Sequence, residues 1–252
     1  MNTAAPSDRL LALLRAKAPV LVLTGAGVSQ ESGVATFRDA GGLWEGVDPM
    51  TVATPQAFAA DPVRVWRFYD ARRAKAASVS PNAAHRAIAA LETPGRRFLL
   101  ATQNVDGLHE RAGSRTLVRL HGSLWRVRCT ACRIERDDFR PTLAPLPPLC
   151  ACGGLLRPAV VWFHETLPMD AFGAAERAAR DAALCLVVGT SSLVYPAASL
   201  PEVALGGGAH VVEINPEPTP LTASASEHLR GKAGTILPDL LARAGIGIGA
   251  PA

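Results

Sequence analysis

Short apolar runs recur along the chain: VLVLT at 20–24, RFLLAT at 97–102, LVRL at 117–120, LCLVVG at 184–189 and HVVEI at 210–214. They are continuous rather than alternating, as strands buried on both faces of a parallel sheet are. Helix-like stretches separate them: SDRLLALLRAKA near the N-terminus, NAAHRAIAALE after Pro81, and DAFGAAERAARDA before the fourth run. This alternation predicts an α/β protein with a Rossmann-like, doubly wound parallel sheet. Two segments break it. Residues 39–79 hold turns and then an amphipathic pattern, DPVRVWRFYDARRAKAA, while residues 126–157 hold four cysteines and the proline-rich RPTLAPLPPLC. We expect these to form a smaller lobe, the first part helical and the second a zinc-ribbon-like module. The large domain then takes residues 1–38, 80–125 and 158–252.

Composition narrows the picture. With 252 residues, 48% of them hydrophobic, the chain can bury a substantial core, and disorder is not expected. No apolar run reaches the roughly 18–20 residues that cross a bilayer, and the N-terminus lacks the pattern of a signal peptide. The expectation is a soluble, cytoplasmic protein without a membrane partner. The formal charge of +4 comes mainly from scattered arginines, with no basic run of the kind that marks a nucleic-acid tail. An anionic small ligand suits that distribution as well as a polyanion does.

Of the five cysteines, Cys129 and Cys132 form one knuckle, and Cys150 and Cys152, seventeen residues further on, form another. Four thiolates so spaced suit a closed tetrahedral Zn²⁺ site, and a complete shell leaves no position for catalysis. The alternative is a loop of uncoordinated thiols. Cys185 lies inside the apolar ALCLVVG and reads as a small core residue.

After the first strand the chain turns through Gly25-Ala26-Gly27. Such a turn lets backbone N–H groups approach a phosphate at a helix N-terminus, but it also serves simply to pack a strand on a helix. Gln30 stands where the dinucleotide fingerprint has its third glycine, and no acidic strand end follows about 20 residues on, which argues against an ordinary dehydrogenase.

The surrounding segments carry a more specific signal. GAGVSQESGVATFRDAGGLW (25–44), TQNVDGLHERAG (102–113), LHGSLWRVRCTAC (120–132), CACGGLLRPAVVWF (150–163), GTSSLVYPAA (189–198) and INPEPT (214–219) resemble, in order, the motifs of the sirtuins. These are NAD-dependent protein lysine deacylases, and the resemblance covers almost the whole chain. It implies that NAD is consumed as a co-substrate, giving free lysine, nicotinamide and O-acyl-ADP-ribose. Gly25, Ala26 and Gly27 would cradle the pyrophosphate, with Phe37, Arg38 and Trp44 on the segment that covers nicotinamide and its ribose. Gln103, Asn104 and Val105 would border the ribose, Asp106 would hold the carboxamide, and His121 would be the base that deprotonates a ribose hydroxyl. Asn104 and Asp106 join His121 as the catalytic set. Gly189, Thr190 and Ser191 would serve the phosphates, Asn215 and Glu217 the adenosine ribose, and Ala233 the adenine. Sirtuins also carry a structural zinc module in the smaller lobe.

Tyr69 and Arg72 are three apart in WRFYDARR and share a helix face. An arginine fork beside a tyrosine hydroxyl can hold a carboxylate, although a solvated helix face would show the same residues. With Ala53 upstream, this Y-x-x-R resembles the class III sirtuins, which remove succinyl, malonyl or glutaryl groups alongside acetyl. Val161, Trp162 and Phe163 would pair with the backbone of an acyl-lysine protein or peptide. Two positions depart from the family's common pattern: Ala35 replaces a proline, and His164 replaces a glycine after VVWF. Rival readings are a deacetylase without acidic-acyl activity, a protein ADP-ribosyltransferase, an oxidoreductase on the same sheet, and a nucleic-acid-binding zinc module. A monomer is the expectation, though sequence leaves the oligomeric state open.

Overall fold

The computed structural model describes residues 5–35 and 46–249. The first half of the chain runs through α1 (Asp8–Arg15), β1 (Val20–Thr24), α2 (Gly27–Gln30), α3 (Pro55–Ala60), α4 (Pro62–Ser78), α5 (Ala83–Ala90), β2 (Phe98–Thr102), α6 (Leu108–Arg111) and β3 (Leu117–Arg119). The second half adds β4 (Gly122–Cys129), β5 (Glu135–Asp137), β6 (Leu156–Val160), α7 (Met169–Asp181), β7 (Leu184–Val188), α8 (Leu200–Gly206), β8 (His210–Asn215), β9 (Glu227–Arg230) and α9 (Ala233–Arg243).

Six strands form one parallel sheet in the order β3-β2-β1-β7-β8-β9. The chain moves outward from β1 through β2 to β3, then returns to the other side of β1 and moves outward again through β7, β8 and β9. That reversal puts the switch point between β1 and β7, where Thr24 lies beside Val188, and ligands of open α/β sheets bind at such points. Five of the strands are those the apolar runs predict. The edge strand β9 escapes that pattern because its sequence, EHLR, buries only Leu229.

Alternate residues of β1 go to opposite faces, which explains why VLVLT is apolar throughout. Val20 and Val22 join a core with Leu10 and Leu14 of α1, Ile88 of α5 and Leu237 and Leu241 of α9. Leu21 and Leu23 join a second core with Ala175 and Ala179 of α7 and Leu200 and Ala204 of α8.

The four-cysteine region folds as an antiparallel sheet in the order β5-β4-β6. A third core links it to α4: Val65, Trp66, Tyr69 and Ala76 pack with Leu124, Val127, Leu156 and Trp162. Asp61 caps α4 by accepting the Arg64 N–H at 2.9 Å, and Pro62 sits in the first turn, where its missing N–H leaves no partner unmet. The buried face of α4 is not wholly apolar, since it includes Asp70 and Arg73. Arg73 is fully buried and donates to the carbonyls of Leu124 (2.7 Å), Asp138 (2.7 Å) and Arg140 (2.6 Å) and to the Asp138 carboxylate (3.0 Å). This guanidinium thus ties the helix to β4 and to the segment after β5.

Without Arg73 the Leu124, Asp138 and Arg140 carbonyls lose their buried donor, and the buried Asp138 carboxylate keeps only Arg140 as a cationic partner. Arg73→Ala is expected to lower the unfolding free energy by about 3–5 kcal/mol, read from the shift of a urea denaturation midpoint. A shift no larger than that of an exposed-arginine variant such as Arg9→Ala would refute the clamp.

Candidate active site

The floor of the site is built where β1 and β7 end. The Gly25 N–H donates to the Val188 carbonyl at 3.1 Å and the Gly27 N–H to the Gly189 carbonyl at 2.8 Å. A Cβ added to Gly27 would lie 2.7 Å from that carbonyl oxygen, and one on Gly189, at φ +59, would lie 2.5 Å from the Val28 nitrogen. The turn is glycine-rich because two backbones touch. Beyond Gly189, Thr190 accepts from Gln103 Nε2 on its hydroxyl (2.9 Å) and from Asn215 Nδ2 on its carbonyl (3.1 Å), so the ends of β2, β7 and β8 are tied together.

A cleft of about 700 Å³ opens above this floor. Gly25, Ala26, Gly27, Gln103, Val105 and His121 line one part of it, and Gly189, Thr190, Ser191, Asn215, Glu217 and Ala233 another. Ala53, Tyr69, Arg72, Val161, Trp162 and Phe163 line the same cleft. Asn104 and Asp106 border a smaller recess of about 30 Å³, whose wall shares Ala26, Val105 and Arg72 with the cleft and also includes Ala35. Phe37, Arg38 and Trp44 lie outside the described residues.

His121 follows β3, and its Nδ1 lies 3.1 Å from the Gln103 carbonyl. A carbonyl only accepts, so Nδ1 carries the proton and Nε2 is left with a lone pair. Burial lowers the imidazole's pKa, outweighing the carbonyl contact that raises it. The group is therefore a neutral base at neutral pH. Burial raises the pKa of Asp106, whereas the Leu108 N–H (2.9 Å) and the Ser29 hydroxyl (2.8 Å) both donate to its carboxylate.

Ser29 is a connection that the sequence did not single out. Its Oγ accepts from Asn104 Nδ2 at 3.1 Å and lies 3.3 Å from His85 Nε2. Burial brings His85 down to about 4, so this imidazole is neutral; its ring packs tilted against the buried His109, with centroids 4.7 Å apart. Glu31 and Lys232 were likewise missed. Both line the cleft, and Glu31 accepts the Gly234 N–H at 2.7 Å in the first turn of α9.

The other end of the cleft rests on the third core. Tyr69 is buried with its hydroxyl accepting from Trp162 Nε1 at 2.9 Å, and burial pushes its pKa well up. Arg72 is half-buried, one helical turn further along. The Trp162 indole lies under the Arg157 guanidinium, 3.4 Å from its ring centroid, so its side chain faces the core more than the cleft. The N–H groups of Val161, Trp162 and Phe163 donate to the His121 carbonyl (2.9 Å), Glu165 Oε2 (2.8 Å) and the Ala53 carbonyl (3.0 Å).

In the smaller sheet the sulfur atoms of Cys129, Cys132, Cys150 and Cys152 all lie within 4.8 Å of one another. Cys129 and Cys152 are 3.5 Å apart and Cys132 and Cys150 3.8 Å, too far for disulfides. Four sulfurs each about 2.3 Å from a central tetrahedral Zn²⁺ would be about 3.8 Å apart, so the cluster fits that ion. Cys185 is buried in β7, where desolvation pushes its thiol up to about 12.

A parallel sheet with its cleft at the switch point, beside a four-cysteine module, defines an α/β protein with three hydrophobic cores, two against the large sheet and one between α4 and the small sheet. The sequence profile of the Sir2 family matches residues 25–196. An NAD-dependent protein deacylase of Aquifex aeolicus is 50% identical over 217 residues, 86% of this chain and 91% of the relative. A Sir2 homologue solved as a complex with NAD superimposes with a TM-score of 0.90 at 45% identity, covering 99% of this chain and 98% of that one. Another, a mutant solved with 2'-O-acetyl ADP ribose, gives 0.89 at 47% identity, covering 97% and 99%. The chain belongs to the Sir2 family.

Elemental analysis of the purified protein should find one zinc per chain. Cys132→Ser should lower both zinc content and thermal midpoint, because metal binding and folding of the sheet are coupled. Zinc-free protein with an unchanged midpoint would count against the site.

Proposed function

We propose that this protein is an NAD-dependent protein lysine deacylase that accepts acetyl-lysine and negatively charged acyl-lysines such as succinyl- and malonyl-lysine. The observation that carries the proposal is the single cleft in which a phosphate-type glycine turn, a neutral histidine base and the Tyr69–Arg72 pair meet. Family membership and relatives named NAD-dependent protein deacylase support it. Bound NAD supplies an ADP-ribosyl group to receive the acyl group, with nicotinamide as the leaving group. Gly25, Ala26 and Gly27 hold its pyrophosphate with Gly189, Thr190 and Ser191. Asn215, Glu217 and Ala233 hold the adenosine. Gln103, Asn104 and Val105 orient the nicotinamide ribose, and Asp106 binds the carboxamide through the recess it shares with Ser29. His121 accepts a hydroxyl proton at Nε2, its Nδ1–H held by Gln103.

Arg72 offers its guanidinium fork to the carboxylate of an acidic acyl group, and the small side chain of Ala53 leaves room for that group in the cleft. Since the N–H groups of Val161, Trp162 and Phe163 are engaged within the chain, a peptide here would be held through carbonyls and side chains. Zinc, held by the four cysteines, is structural. Residues 39–79, described from 46 onward, and 126–157 make up the smaller lobe, and the third core that packs α4 on the small sheet supports the division, extending to Leu124, Val160 and Trp162 at its borders. No described helix is long and apolar enough to cross a membrane. Clustered cysteines without disulfides suit a reducing compartment such as the cytoplasm.

The test is to incubate the protein with NAD and matched acetyl- and succinyl-lysine peptides, following peptide mass and nicotinamide. Both peptides should be deacylated with equimolar nicotinamide release; ADP-ribose added to protein without deacylation would overturn the reading. In Arg72→Met, kcat/KM for the succinyl peptide should fall about tenfold more than for the acetyl peptide, and equal losses would remove the carboxylate pocket. His121→Ala should cost about 10²–10⁴-fold in turnover. The base works deprotonated, so activity should fall as pH drops through its pKa. Burial lowers that value, which puts the acid limb below the ordinary 6.5 and leaves activity flat around pH 7. A limb centred above 6.5 would argue against His121 as the base.

A further inference from the structure

After β6 the chain makes a tight turn, closed by the Glu165 N–H donating to the Trp162 carbonyl at 3.1 Å. The third residue of this turn is His164, with φ +69, where such turns call for glycine or asparagine. The turn is held from both sides. Arg157 grips the Glu165 carboxylate at 2.6 and 2.9 Å, and the Phe163 N–H is bound to Ala53. Residue 164 has no freedom to leave the left-handed region, and a side chain with a Cβ is strained there.

No interaction within the described chain offsets that strain. The imidazole is exposed and makes no hydrogen bond or ion pair with any described residue. It does line the cleft, as do the exposed side chains of Phe163, Leu193, Val194 and Tyr195. Those four are apolar or aromatic, so His164 supplies a compact hydrogen-bonding group among them. Strain held at the rim of a binding cleft, with no internal compensation, points to a ligand.

Charge indicates which ligand. The carboxylates lining the cleft already have donors: Glu31 accepts from the Gly234 N–H, Glu165 from Arg157 and Glu217 from Arg230. Arg72 and Lys232 line the same cleft, and the chain carries a formal charge of +4. An imidazole has an N–H to donate in either tautomer, and a carboxylate is its strongest acceptor. We propose that His164 is a specificity-determining residue that reads the peptide side chain next to the acyl-lysine and favours aspartate or glutamate there. This rests on the deacylase reading above.

The experiment uses the full chain, NAD and acetyl-lysine peptides carrying Asp, Asn, Ala or Lys immediately before or after the modified residue. Wild type should favour Asp over Lys by roughly tenfold in kcat/KM, mainly through KM. In His164→Gly that ratio should collapse to within about twofold, and the thermal midpoint should rise by roughly 2–4 °C as the turn relaxes. That rise also shows that the variant folds. His164→Asn, which tolerates the turn and still donates, should retain part of the ratio. An Asp-to-Lys ratio near one in wild type, or an equal ratio in wild type and His164→Gly, would overturn the proposal while leaving deacylation intact. No turnover and no nicotinamide release with any peptide would overturn the deacylase reading and this proposal with it.

Discussion

At the switch point of the large sheet the Gly27 amide donates to the Gly189 carbonyl at 2.8 Å, and neither residue has room for a Cβ. This contact brings the turn after β1 against the turn after β7, so the two halves of the sheet share one floor. Thr190 follows at once and can therefore take both Gln103 from beyond β2 and Asn215 from the end of β8. Four strand ends are fixed relative to one another by a few polar contacts that begin at two glycines. A methyl group at Gly27 would push β1 from β7 and disturb the backbone contacts of the whole cleft floor together. The cleft is thus a property of the sheet crossing rather than of any one loop.

The opposite wall of the cleft depends on a different constraint. Tyr69 and Arg72 reach it only if α4 keeps its place against the small sheet. Packing of Trp66 and Tyr69 accounts for part of that placement, and the Trp66 indole N–H is anchored on the Leu156 carbonyl at 2.7 Å. Arg73 adds direction, because its donors fix three carbonyls and one carboxylate at set angles, which apolar packing alone does not do. Arg72 and Arg73 are neighbours with opposite tasks. One residue's shift along the helix separates a cleft-facing guanidinium from one sealed in the seam.

That pair also marks the limit of what could be read in the sequence. Helical periodicity located α4 and put Tyr69 and Arg72 on one face, but it gave no sign that Arg73 would be buried. Arginine is rarely buried, and the carbonyls it meets come from residues 51 to 67 positions away. The buried strands were legible because both their faces are covered. By contrast, β9 and α8 were missed because the first is a polar edge and the second a short helix of seven residues. Most of the described residues that the motifs single out line one cleft or the recess beside it. Ser29 stayed invisible as a connector because a serine in a glycine-rich turn looks like any turn residue until Asn104, Asp106 and His85 converge on it.

Arg72 lines both the main cleft and the inner recess, and that position couples two functions. Its positive charge lowers the pKa of Tyr69 and also that of Asp106, in each case against the dominant effect of burial. Removing the guanidinium therefore takes away the proposed partner of an acyl carboxylate and, in the same step, weakens ionisation of the carboxylate that faces the recess. A loss of activity at this position cannot be assigned to acyl recognition by magnitude alone. Two acyl groups compared in one variant share the effect on Asp106, so their ratio cancels it. What remains is the interaction between a guanidinium and the one substrate that carries a negative charge, which is the quantity that defines the pocket.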